Sequence, residues 1–277
     1  MAKRVDEKKE IKNLLEIYHQ KIKNNNIYSL GMSALEEAFD GGLDGGRVVM
    51  VGGEYGKAFL EQIMFHTALF AKCLYFALGF NKRQFMEHVL KRSIDHYLSN
   101  EQMQSILAIT GDLHSCRVGD VISSIREQVK KHKIEVIAID ELLFLYESSE
   151  EFKGESIKDK RLIMLRRLIS IAKELDLLFL VASNHEDFKK AALLVCDVAM
   201  EVDVVDSNAE IYVLKNSVNE MKFSFKMSFN RDVLMFKEIE DSQKDDYNPA
   251  LDIVVVEDEE DEMMVDELKK KGVIFEE

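Results

Sequence analysis

A short glycine-rich turn ending in a lysine is where residue types and spacing first point to chemistry. Residues 51–58 read V-G-G-E-Y-G-K-A. A phosphate-binding loop works because successive backbone N–H groups point inward at the head of a helix. A lysine adds a cation for the β- and γ-phosphates, and a following Ser or Thr hydroxyl holds Mg²⁺. Gly56 and Lys57 stand in the required places, Gly52 and Gly53 permit the tight path, and Glu54 and Tyr55 fill the variable positions. Val51 replaces the first consensus glycine, and Ala58 replaces the hydroxyl. The expected ligand is ATP or ADP, with Mg²⁺ placement weakened by Ala58.

A second candidate is Asp140, at the end of the apolar run KIEVIAID. Ligands bind at the carboxyl ends of such strands, and an aspartate there holds Mg²⁺ through water. A plain loop or helix-capping aspartate is the competing reading. Glu141 follows directly, as a general base or as a solvated loop residue. His114 and Cys116 have no second ligand pair at zinc spacing, so a structural metal is not expected.

These residues need a scaffold, and the surrounding pattern supplies one. RVVMVGG reads as a strand, residues 57–72 as an amphipathic helix, CLYFAL as a second strand and residues 82–97 as a helix. VGDVISSIREQVKKHK is helical, and KIEVIAID is a buried parallel strand by its near-continuous apolar run. A polar loop at residues 147–160, a helix at 161–174 and the strand DLLFLVAS follow. VAMEVDVV, AEIYVLKN and KFSFKMSF then read as hairpin strands. Strand and helix alternating, then hairpins, predicts an α/β fold: one mostly parallel sheet, helices on both faces, antiparallel strands at the C-terminal end.

The chain divides by composition into a helical arm at residues 1–26, a nucleotide-binding domain at 27–239 and an acidic tail at 240–277. Ile11, Leu14, Leu15, Tyr18 and Ile22 give the arm one apolar face, for its own domain or for a neighbouring subunit. Net charge is −14, but the tail holds fifteen acids and four lysines, leaving 36 acids and 33 bases elsewhere. The body is therefore nearly balanced. That advertises no nucleic-acid binding, while leaving room for a local basic groove. The tail reads either as a disordered acidic segment or as an added strand, Ile253 to Val256, followed by one. Three scattered cysteines, no signal peptide and no run of eighteen apolar residues predict a cytoplasmic protein without a membrane span.

At this point the motifs resemble, in order, the RecA-like P-loop motor domain of DnaB-type replicative helicases. YSLGMSALEEAFDGGLDGGRVVMVGG is similar to that family's opening segment, and CLYFALGFNKRQFMEHVLKR to its second strand and helix. IEVIAIDELLFL resembles its Walker B strand, LRRLISIAKELDLLFLVASN its sensor strand, and AEIYVLKNSVNEMKFSFKMSFNRDVLMF its closing hairpin. Recombinase and clock-type ATPases are the nearest rivals. The resemblance implies a sensor role for Asn184, and a Lys215 that reaches the γ-phosphate of a neighbouring subunit. It also implies a homo-oligomer such as a hexamer, or assembly with related helicase subunits. Single-stranded DNA would lie against loops at residues 147–160 and 187–190. Lys153, Lys158, Lys160 and Arg161 are the candidate contacts there, with a solvated loop as the alternative.

Departures from the family matter as much as matches. Ala58 replaces its Ser or Thr, Gly79 its catalytic glutamate after the second strand, and Ser217 its arginine beyond Lys215. About 26 residues stand in place of its primase-interacting domain. Three functions stay open: a nucleotide-binding partner in DNA replication or repair with weak or absent hydrolysis, an active ATP-driven hexameric helicase or translocase, and a non-enzymatic scaffold or regulatory partner.

Overall fold

A computed structural model describes residues 27–94, 99–110, 116–146, 156–239 and 245–246. The chain splits into two units, Met1–Asp246 and Tyr247–Glu277, and all described residues belong to the first. The N-terminal arm and nearly all of the acidic tail lie outside them.

Twelve strands are described: β1 (Val48–Gly52), β2 (Cys73–Ala77), β3 (Ile106–Thr110), β4 (Cys116–Arg117), β5 (Val136–Ile139), β6 (Leu145–Tyr146), β7 (Leu178–Ala182), β8 (Val198–Val205), β9 (Asn208–Asn216), β10 (Phe223–Asn230), β11 (Met235–Glu238) and β12 (Asp245–Asp246). Ten form one sheet in the order β11-β10-β9-β8-β1-β7-β5-β2-β3, with β12 paired to β10. From β3 to β8 the neighbours are parallel; from β8 to β11 they are antiparallel. The predicted mixed sheet is the one observed.

Every residue of β1, β2, β5 and β7 is buried, which is why each reads as an unbroken apolar run. Helices cover these strands with their apolar stripes. In the Val118–His132 helix, Val121 and Ile125 face inward, and Lys130, Lys131 and His132 sit on the negative end of its dipole. The Ile157–Leu175 helix starts on Ser156, whose side chain accepts from the Asp159 N–H, and buries Leu162, Leu165, Leu168 and Ile171. It begins four residues earlier than its periodicity suggests, because the Ser156 cap lies inside a polar run.

One expected loop is a helix. Residues 187–190 lie in Glu186–Val195, started by the His185 side chain accepting from the Asp187 N–H and anchored by buried Phe188, Ala191 and Ala192. Strand β3 was not legible at all. Its residues are only half-buried at the sheet edge, so the apolar signal is weak.

Strand order decides where chemistry can occur. β7 lies between β1 and β5. At about 4.8 Å per strand spacing, the ends of β1 and β5 are about 10 Å apart. A lysine at the head of the helix after β1 can bridge that gap; a short side chain cannot.

Candidate functional site

β1 ends at Gly52, and the chain turns through Gly53 into the Gly56–Thr67 helix. Gly53 has φ +94°, and a Cβ there would stand 2.1 Å from the Val202 carbonyl oxygen. Its own carbonyl accepts from the Gly56 N–H at 3.1 Å, closing the turn, and Tyr55 O accepts from the Phe59 N–H at 3.0 Å. Among the described residues nothing accepts from the backbone N–H of Lys57 or Ala58. Two open donors at a positive helix end, behind a turn only glycine can make, form an anion cradle. Gly53→Ala is expected to cost about 1–3 kcal/mol from backbone strain alone, read as a lowered urea midpoint. An unchanged midpoint would refute this account of the turn.

Lys57 leaves this cradle towards β5. Its Nζ donates to Asp140 Oδ2 at 2.6 Å and lies 3.7 Å from the centroid of the Phe80 ring. Asp140 is fully buried, and its oxygens are already engaged. Oδ1 accepts from the Leu78 N–H at 2.8 Å, and Oδ2 also accepts from the Gly79 N–H at 3.3 Å. Burial pushes this carboxyl above its ordinary range, opposed by Lys57 and by the two backbone donors. Gly79 packs directly on the pair: a Cβ there would be 3.3 Å from Lys57 Nζ and 3.4 Å from Asp140 Oδ2. Position 79 thus brings backbone alone to the pair.

The other sequence candidates fall into two groups. Glu141 turns to its own chain, accepting from the Leu143 N–H at 3.0 Å to cap a short 3₁₀ turn. Asn184 is exposed just beyond β7, the strand between the loop strand and the Asp140 strand. Glu54 is exposed on the loop; Tyr55 packs on Phe229 with centroids 4.7 Å apart and has Arg231 at 5.8 Å over its ring. Lys215 is not beside this loop. It pairs with Ala199, level with Met50, whereas Gly52 is level with Glu201. Its Nζ donates to Leu194 O at 3.1 Å, and burial lowers its pKa. Ser217 donates through both its backbone N–H and its hydroxyl to the Asp197 carbonyl.

Of the candidate DNA contacts, Lys153 lies outside the described residues. Lys158 is exposed and Lys160 half-buried on the first turn of the Ile157–Leu175 helix. Arg161 is turned inward. It pairs with Asp187, bonds His185 Nδ1 at 2.7 Å and lies over Phe188, tying two helices together. As placed, it braces the two helices.

Two arrangements escaped the sequence reading. Lys189 pairs with Glu201 at 2.5 Å, and a Cβ on Gly52 would clash with Glu201 at 2.3 Å, so this ion pair walls the loop. Glu61, on the loop helix and fully buried, accepts from Tyr75 OH at 2.5 Å and meets His88 Nε2 at 2.8 Å; the His88 ring stacks on Phe80 at 5.0 Å. No local spacing marks either set, because each joins separate elements.

The residues fit a phosphate and do not fit Mg²⁺. The cradle and Lys57 supply donors and charge for an anion. Ala58, buried in the core, supplies no hydroxyl, and buried Asp140 already accepts from Leu78 on Oδ1 and from Lys57 and Gly79 on Oδ2. Among the described residues no group of three or more His, Cys, Asp or Glu could hold a metal ion. Nor is any helix there long and apolar enough to cross a membrane.

No sequence-family profile and no curated protein sequence matches this chain. Solved structures do. One, an isolated ATPase domain, superposes with a TM-score of 0.62 at 13% identity, over 83% of this chain and 99% of that one. A DnaB-like replicative helicase, solved for its interactions with primase, gives 0.62 at 14% identity, over 82% of this chain but 66% of its own. The RadB recombinase gives 0.59 at 15% identity, over 77% of this chain and 100% of that one. At these identities the likeness is one of fold: the chain has a RecA-like ATPase fold.

Proposed function

We propose that this chain binds ATP or ADP in the cradle at Gly52, Gly53, Glu54, Tyr55, Gly56, Lys57 and Ala58, hydrolyses ATP slowly or not at all, and serves DNA replication or repair as an assembly or regulatory partner. The observation that carries this is the contact of Gly79 with Lys57 and Asp140. Backbone stands where a water-activating carboxylate would have to reach, while the phosphate-binding parts remain. Glu141 is committed to its turn and Asp140 to three donors, so neither is placed to take a proton from water. Asn184 can still sense the phosphates from the end of β7.

The magnitudes favour binding over turnover. A positioned base is worth about 10²–10⁴-fold and a transition-state arginine about 10³–10⁵-fold. Without both, turnover should fall at least about 10³-fold below the median enzyme rate of about 10 per second. The DNA setting is supported by the helicase and recombinase among the similar folds. In this reading residues 27–239 carry the site, and the N-terminal arm and acidic tail contact partners in a homo-oligomer or helicase assembly. Lys153, Lys158 and Lys160 are the candidate contacts to single-stranded DNA.

The retained Lys57–Asp140 pair favours the second reading, an active helicase or translocase. One experiment separates the two. ATP hydrolysis is measured with and without single-stranded DNA, alongside nucleotide binding by equilibrium dialysis and oligomer mass by light scattering. Binding without DNA-stimulated turnover is expected. DNA-stimulated turnover would replace this proposal with the motor.

A further inference from the structure

We infer that the site takes its nucleoside di- or triphosphate without a divalent cation, the Lys57 ammonium standing where a metal ion would bridge Asp140 and the phosphates. This rests on the nucleotide-binding reading and goes further, because it states the form in which the ligand is held.

The argument starts from Ala58. At the first turn of the loop helix its methyl is packed into the core, with 5% of the residue exposed. It gives a metal neither an oxygen nor a water-filled space beside one. Asp140, the other residue able to hold the ion, is sealed at 0% exposure. Leu78 N–H occupies Oδ1, and Lys57 Nζ with Gly79 N–H occupies Oδ2. Mg²⁺ demands near-octahedral geometry at about 2.0–2.1 Å and gives up water reluctantly. On the Oδ2 side, where Lys57 Nζ stands at 2.6 Å under the Phe80 ring, an ion or its bridging water would have to displace the ammonium. Ala58 adds no oxygen beside it, so a metal that arrives with the nucleotide would be held chiefly by phosphate and water.

Lys57 can meanwhile serve both partners. An ammonium has three N–H donors. One is spent on Asp140, and the side chain keeps 31% exposure. A phosphate oxygen seated on the open N–H groups of Lys57 and Ala58 can take another donor without breaking the buried pair. The cation neutralising the phosphates is then part of the protein, fixed in place before the ligand arrives.

The test uses the full chain. ADP and ATP are titrated by calorimetry in excess EDTA and in excess Mg²⁺, with thermal shifts recorded in both media. The expected result is dissociation constants within about threefold of each other for each nucleotide, with stabilisation by ADP in EDTA. Binding weakened tenfold or more by EDTA would overturn the inference while leaving the nucleotide reading intact. Binding in neither medium would overturn both.

Discussion

Lys57→Ala should weaken nucleotide binding and, separately, the fold. A charge-assisted hydrogen bond from an ammonium to phosphate contributes about 1.5–3 kcal/mol, so ADP affinity should fall by about 10- to 100-fold. The same change strips Asp140 of its only ionic partner among the described residues and leaves a fully buried carboxylate on two backbone N–H donors. Breaking a buried pair in this way costs about 3–5 kcal/mol when the remaining charge cannot be neutralised. Here it can be, in part. Burial already raises the Asp140 pKa, and losing Lys57 raises it further. A raised carboxyl pKa in the fold means that ionisation opposes folding. The stability penalty should therefore be largest at alkaline pH and shrink as pH falls through the raised value. The double variant Lys57→Ala, Asp140→Asn should recover stability and not binding. Urea unfolding across pH reads the first effect and equilibrium dialysis the second. A double variant that binds ADP like the parent would sink the role given to Lys57.

Lys57 and Asp140 were both legible in the sequence because each sits where an apolar run stops. β1 and β5 are buried on both faces, so their ends are sharp, and the glycines after β1 announce a turn. What the sequence withheld is how the two residues are spent. The donors that fill Asp140 come from Leu78 and Gly79, 62 and 61 residues away, through the pairing of β2 with β5. Charges were the least legible class. Arg161 and the 187–190 segment looked like a surface for DNA, yet Arg161 is bound to Asp187, and Lys189 to Glu201. Composition cannot distinguish a solvated lysine from one whose acid lies on another element, since the pairing is a tertiary fact. Glu61 is the strongest case. Its helix reads as amphipathic in the sequence but is buried nearly all round, and no local spacing marks the carboxylate that lies in the core.

That carboxylate sets the second large effect, on stability. His88→Ala should destabilise the protein by about 1–3 kcal/mol, since it removes a hydrogen-bond partner from a buried carboxyl group. Glu61 keeps Tyr75 OH at 2.5 Å but loses Nε2 at 2.8 Å, at a place where its side chain is 1% exposed. For a chain of this size the loss corresponds to about 2–12 °C in Tm. Arg83→Ala, one turn earlier on the same helix, breaks only the exposed pair with Glu87 and should leave Tm unchanged. Glu61→Gln should rescue much of the His88→Ala loss, because a neutral amide needs no counter-charge. The site should register the change as well. Phe80 lies between the His88 ring at 5.0 Å and Lys57 Nζ at 3.7 Å, so losing the imidazole frees the ring that covers the ammonium. If His88→Ala shifts Tm no more than Arg83→Ala does, the His88–Glu61 hydrogen bond contributes little to the core. The contacts from Tyr75 to Phe80 would then be packing alone, with no electrostatic tie between the core and the phosphate loop.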